Sequence, residues 1–245
     1  MQMSENVVPN TISSTGAKGV LPVQAAVVGS MDSQLDLLRD KILLLGGKTE
    51  SAVAGAMLAL VGRNSELARA VADEDQVIDQ MELEIDRLSI DILGSQRPTE
   101  HDLRLVVSVA KITPILERIA DHASSIAEAA IVLNNEPQFD SYIDLSYMAG
   151  IASDMLRAAL DAFTSEDAET SRAVILRDQQ IDECYHRVFD GLIKRMIDDP
   201  AATNGSAHLL FVAKHLERIG DYVKDICELN VYLREAVFIK HSPIE

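Results

Sequence analysis

The chain has no tryptophan, and aromatic residues make up only 4% of its 245 positions. A surface so poor in the side chains that usually anchor protein interfaces offers no hot spot legible in the sequence. Cysteine is scarce as well. Cys184 and Cys227 lack the C-x-x-C spacing of zinc and redox sites and cannot build a disulfide framework, so both are expected to be buried free thiols. Basic residues are in deficit, with 22 Lys and Arg against 39 Asp and Glu, for a formal net charge of −17. That charge repels phosphate backbones and anionic lipid surfaces at long range, so nucleic acid and membrane surfaces are not expected as partners. No unbroken run of about 18 apolar residues occurs, so direct membrane insertion is not expected either. Residues 20–29 are the nearest imitation of a targeting segment, but they are short and broken by Pro22 and Gln24. Missing too are the G-x-S-x-G elbow, the G-x-x-x-x-G-K-[ST] loop and H-E-x-x-H, which removes support for nucleophilic, nucleotide and zincin chemistry.

What is present is the composition of an ordinary globular chain, 47% hydrophobic and 25% charged, long enough for one large domain or two small ones. Residues 1–30 mix Ser, Thr, Gly, Asn and Pro without periodicity and are expected to form a disordered tail. From Met31 onward the apolar residues recur at steps of three and four, as in Leu35, Leu38, Ile42 and Leu45, so the body is predicted to be all-α. Gly46 and Gly47 fall inside this first helix, where they point to a close helix contact or a bend. Asn64 is a plausible N-cap for a second helix carrying Leu67, Val71, Ile78, Met81, Ile85, Leu88 and Ile92, closed by Gly94. Thr99 and Asp102 form a capping-box pair for a third helix reaching to about Asn134, in which Pro114 is expected to kink the rod. A linker at 134–139 precedes three more helices, predicted at 142–163, at 167–196 and, after a turn-rich stretch at 198–206, onward to about Phe238.

The second trio copies the first. Arg69, Ala70, Val71, Asp75, Gln76, Ile78 and Asp79 recur 103 residues later as Arg172, Ala173, Val174, Asp178, Gln179, Ile181 and Asp182. Leu116, Glu117, Arg118, Ile119 and Asp121 recur at an offset of 100 as Leu216, Glu217, Arg218, Ile219 and Asp221. The expected organisation is therefore a tandem repeat of two three-helix bundles, at 31–134 and 140–240.

The repeat preserves carboxylates as well as core. Asp75 with Asp79, Glu117 with Asp121, Asp178 with Asp182, and Glu217 with Asp221 each stand one helical turn apart, and Asp225 extends the last row. Composition alone supplies about six acid-x-x-x-acid pairs, so a single pair means nothing, whereas equivalent pairs in both halves need a reason. Like charges on adjacent turns destabilise a helix by about 0.2–0.5 kcal/mol each, and something cationic should offset them. Two readings stay open. Either Arg118 and Arg218 accompany a solvated acidic face, or two packed helices present four oxygen donors to a hard divalent or ferric ion. Histidine helps neither: the one Glu-x-x-His pair, Glu183 and His186, reads as surface coincidence, and His122 and His215 have no matched partners.

Glu117-Arg-Ile-Ala-Asp121 and Glu217-Arg-Ile-Gly-Asp221, together with Arg97-Pro-Thr-Glu-His-Asp-Leu-Arg104, resemble the signature of the PhoU family of phosphate-transport accessory proteins. The resemblance covers about residues 31–240. It implies a cytoplasmic, non-enzymatic regulator, likewise PhoU-like in fold, that represses the phosphate-starvation response. Its implied partners are the ATPase subunit of the phosphate ABC transporter and a phosphate-sensing histidine kinase, and it implies a homodimer. It also implies multinuclear metal clusters on the acidic rows, with Asp75, Asp79, Glu117, Asp121, Asp178, Asp182, Glu217, Asp221 and Asp225 in the matching positions. The rival reading is a metal-dependent enzyme, such as a two-metal phosphoesterase, or a metal-storage protein. Four departures stand out: the long amino-terminal tail is outside the usual pattern, Pro114 is matched by Lys214, Arg104 has no partner, and Ser125 stands opposite Asp225, which predicts weaker metal binding in the first half.

Overall fold

The structure, a computed structural model, describes residues 30–95, 97–137 and 142–240. The expected tail, apart from Ser30, and the linker at 138–139 lie outside the described residues. Among the described residues there are six long helices, α1 (Met31–Val61), α2 (Ser65–Ser95), α3 (Glu100–Leu133), α4 (Tyr142–Ser165), α5 (Ala168–Asp198) and α6 (Thr203–Glu235), with one 3₁₀ turn at Pro200–Ala202. No strand occurs among the described residues, and the fold is all-α, a tandem repeat of two three-helix bundles.

The starts of α2, α3 and α5 follow from their own sequence. Asn64 Oδ1 accepts from the Glu66 and Leu67 amides at 3.1 and 3.0 Å, and Thr99 and Asp102 exchange the two bonds of a capping box. Asp167 caps α5 by accepting from the amides of Glu169 and Thr170, both at 3.0 Å. As expected, α3 reaches the neighbourhood of Asn134, running from Glu100 to Leu133 with Pro114 in its interior. Its neighbours Ile112, Thr113 and Leu116 are buried and hold the rod against α1 and α2. The turn-rich stretch before α6 is shorter than expected. The helix begins at Thr203, where Gly205 and Ser206 already pack inside, and it ends at Glu235 with Ala236 in the left-handed region (φ 59°).

Packing joins α1, α2 and α3 to one another and α4, α5 and α6 likewise; the halves meet where α3 lies on α6 and α1 on α4. Repeated core positions are buried in both halves: Ile78 and Ile181, Leu116 and Leu216, Ile119 and Ile219. Gly46 marks the close α1–α4 contact, since a Cβ there would stand 2.7 Å from Leu160 Cδ1, whereas Gly47 faces open space. Polar clips reinforce the junction: Arg104 Nε donates to the Leu233 carbonyl at 3.1 Å, and His101 Nε2 lies 2.9 Å from Glu166 Oε2. Both cysteines are buried free thiols, with Cys227 pushed up to about 12 by burial and by nearby Glu228.

One helix, α1, is long and apolar enough on length and composition to cross a membrane, although half of its most apolar stretch is buried inside the fold. Along α1 as a whole Leu37, Leu44, Leu58 and Val61 are exposed.

Candidate metal centre

Four carboxylates line one face of α2, because Asp75, Asp79, Glu82 and Asp86 follow one another at steps of four, three and four. Glu117 and Asp121 on α3 face the same row. Burial and then repulsion from Asp121, Glu82, Asp79 and Asp75 push Glu117 up to about 7. Burial followed by Asp75 and Asp79 raises Asp121, and burial followed by Asp86 and Asp79 raises Glu82. Arg118 relieves Glu82 and Asp121 only in part. The hydroxyl of Ser124 donates to Asp75 at 3.3 Å, a neutral contact at the edge of a crowded negative site.

Asp178, Asp182, Glu217 and Asp221 form the corresponding group between α5 and α6, and here the chain supplies its own cations. Lys224 Nζ stands 2.5 Å from Asp178 and 3.0 Å from Asp221. Lys224 occupies the repeat position of Ser124. Burial alone would favour its neutral amine, but hydrogen bonds to Asp178 and Asp221 outweigh that and hold it charged. Asp178 is only 5% exposed, and burial keeps its carboxyl above the usual range despite Lys224. Lys214, opposite Pro114, reaches Glu217 at 2.6 Å, and Arg218 reaches Asp221 at 3.3 Å. Gly220 replaces Ala120 where a Cβ would stand 2.8 Å from Asp178 Oδ1, so the missing methyl makes room for the ion pair.

Two further carboxylates separate the halves. Glu82 and Asp86 escaped the repeat comparison because their counterparts are Tyr185 and Phe189, aromatic residues in contact with each other at 6.1 Å. Lys214 lies 5.4 Å over the Tyr185 ring, in the cation–π range. The first half therefore gathers six carboxylates, and the second gathers four carboxylates with two lysines and an arginine. Asp225 stands apart from both groups, bonded to Lys240 at 3.2 Å beside a cavity against α3.

Among the described residues no three His, Cys, Asp or Glu side chains converge as ligands of one ion. The donor chemistry nevertheless differs between halves. Crowded, incompletely neutralised carboxylates in the first half suit a hard cation, whereas a lysine ammonium already fills that electrostatic role in the second.

The two unmatched histidines meet each other. His122 Nδ1 and His215 Nδ1 are 2.9 Å apart across the α3–α6 contact, and His122 stacks on Tyr222 with ring centres at 5.6 Å. Burial, then His215 and Arg218, push His122 down to about 4, and burial lowers His215. Unfolded chains thus take up protons first on acidification. The stability owed to this pair should be complete above about pH 6.5 and lost as the pH falls towards 4. In thermal melts at pH 7 and pH 5, His122→Phe is expected to lose less stability on acidification than the native chain, and equal losses would refute the assignment. Glu183 and His186, the lone Glu-x-x-His pair, are both exposed on α5.

The pattern of the PhoU domain matches the chain twice, over residues 42–130 and 145–229. The Zymomonas mobilis protein named phosphate-specific transport system accessory protein PhoU homolog is 36% identical over 82% of this chain and 85% of its own length. The crystal structure of PhoU from Pseudomonas aeruginosa is 34% identical and superposes with a TM-score of 0.82, covering 85% of this chain and all of that one. The phosphate transport system regulatory protein PhoU from Streptococcus pneumoniae is 29% identical, with a TM-score of 0.79 over 85% of this chain and 99% of its own. Two copies of one domain pattern, a shared fold and identities above 30% along most of both chains lead to one conclusion: the chain belongs to the PhoU domain family.

Proposed function

We propose that this chain is a cytoplasmic, non-enzymatic regulator of phosphate uptake, an adaptor between the ATPase subunit of a phosphate ABC transporter and a phosphate-sensing histidine kinase. The observation that carries the reading is that relatives matching nearly the whole two-bundle chain are named phosphate-specific transport system accessory proteins. Self-association belongs to the same reading. The exposed Leu37, Leu44, Leu58 and Val61 of α1 offer apolar surface that a second copy could cover.

Metal binding enters as a regulatory or structural load on the acidic rows. The first-half residues Asp75, Asp79, Glu82, Glu117 and Asp121 would hold a hard divalent or ferric ion, or a multinuclear cluster, which supplies the positive charge their crowding lacks. In the second half Lys224 and Lys214 compete for the same carboxylates, so Asp178, Asp182, Glu217 and Asp221 bind an ion more weakly. This order reverses the one suggested by Ser125 and Asp225, because Asp225 is engaged by Lys240.

The test is a phosphate-starvation reporter in phosphate-replete cells lacking this protein, with and without the intact chain restored. High output only in the deletion is expected. Equal output in both strains would overturn the regulatory reading.

A further inference from the structure

A cavity with Lys111, Arg118 and Lys240 in its walls lies where α3 and α6 cross and the chain after α6 folds back over them. Its volume is about 390 Å³, within the range of small-ligand sites. Ala236 makes the turn in the left-handed region, Phe238 stacks on Tyr232 with ring centres 4.1 Å apart, and Lys240 returns to Asp225 at 3.2 Å. Lys111 and Arg118 enter from α3, and Lys111 stands 5.5 Å over the Phe238 ring. Three cations thus converge in a chain of net charge −17, of which Lys240 pairs with Asp225 and Arg118 is only partly engaged by Glu82 and Asp121. Pro114, Leu229 and Phe238 add apolar contact area beside those charges.

We infer that this cavity binds a proton-bearing oxyanion of the phosphate class. The guanidinium of Arg118 offers two parallel N–H donors and Lys111 a compact positive charge, the groups that recognise phosphoryl oxygens. Asp225 and Glu228 in the same wall select which oxyanion enters. Hydrogenphosphate, dihydrogenphosphate and protonated phosphate monoesters carry an O–H that donates to a carboxylate while their other oxygens accept from Arg118 and Lys111. Sulfate has no proton at neutral pH and meets those carboxylates as like charges. The cavity is not a general product of the duplicated fold: at the repeat positions Lys111 becomes Phe211, Asp225 becomes Ser125 and Leu229 becomes Ala129. The inference stands on this cavity and holds whether or not the acidic rows take up metal.

Isothermal titration calorimetry on the full chain, in buffer freed of metal by chelation, tests it. Inorganic phosphate is expected to bind at least tenfold more tightly than sulfate, and Arg118→Ala, an exposed position, to weaken phosphate binding at least tenfold while leaving the helical circular dichroism intact. Lys111→Ala should weaken it in the same direction, and Asp225→Asn with Glu228→Gln should narrow the gap between phosphate and sulfate. A titration with glycerol phosphate separates the two sources, since tighter binding than inorganic phosphate would assign the site to an ester and weaker binding to the free ion. No binding of either, equal binding of sulfate, or native affinity in Arg118→Ala would overturn the inference. The reporter experiment reads a different property, so the regulatory reading and this one can fail separately.

Discussion

Replacing Lys224 with serine is expected to destabilise the metal-free chain by about 3 kcal/mol, because it strands a carboxylate, Asp178, that is 5% exposed beside Asp221. The substitution writes the first-half residue, Ser124, into the second half. It removes the ammonium that lies 2.5 Å from Asp178 and leaves Asp182 and Asp221 raising its cost of ionisation. For a chain of this length, about 3 kcal/mol corresponds to about 6–12 °C in melting temperature. A divalent cation should then do more for the variant than for the native chain, since it can enter the place the lysine has left. The same reasoning predicts that metal content measured after dialysis rises in Lys224→Ser, as a second site opens. Lys224→Met keeps the apolar stem and removes only the charge, so it separates lost packing from lost pairing. If Lys224→Met melts with the native chain in chelator, the ion pair contributes nothing, and the asymmetry of the two halves loses its physical basis.

The opposite change is expected at Glu117. Its folded pKa of about 7 lies above the ordinary 4.5. A carboxyl raised in this way favours the folded state below about pH 4.5 and loses that advantage as the pH rises through 7. At pH 8 Glu117 is largely ionised, and the burial of its charge, then repulsion led by Asp121, are costs that Glu117→Gln relieves. After allowance for solvent screening at this half-buried position the gain is about 1 kcal/mol, or about 2–4 °C, at pH 8. It should be nearly absent at pH 5. Millimolar manganese or magnesium should stabilise the native chain in the same pH-dependent way, by about 5–10 °C at pH 8 if the free ion exceeds its dissociation constant a hundredfold. Glu117→Gln should lose most of that response. Thermal melts with and without the ion at both pH values decide it, and a native chain indifferent to the cation would remove metal from the first half.

These two expectations rest on features of unequal legibility. Asn64, and Thr99 with Asp102, announced two helix starts, because a cap is satisfied by amides two or three residues away. Pro114 did not end its helix, which runs on to Leu133. A lost backbone bond is a local event, and buried neighbours on both sides carried α3 through it. Likewise α6 starts before the expected turn-rich stretch ends, since Gly205 and Ser206 find places in the core. The acidic rows were visible as repeated spacing, but matching identical residues hid what distinguishes the halves. Glu82 and Asp86 stand opposite Tyr185 and Phe189, and Ser124 stands opposite Lys224, so each drops out of a comparison that counts only agreement.

The sequence by itself determined the helical class, the duplication, the caps and the pairing of carboxylates along each helix, because all of these depend on the 3.6-residue period and on contacts within a turn or two. Only the tertiary structure decided which charges meet. It set Lys224 between Asp178 and Asp221, left six carboxylates facing one another in the first half, joined His122 to His215 and brought Lys111, Arg118 and Lys240 around one cavity. The reason is physical: neighbours along a helix are fixed by its pitch, whereas the partner across an interface depends on how two rods rotate and slide to bury their apolar faces, and a charge-to-charge distance of a few ångströms is set only when they have done so.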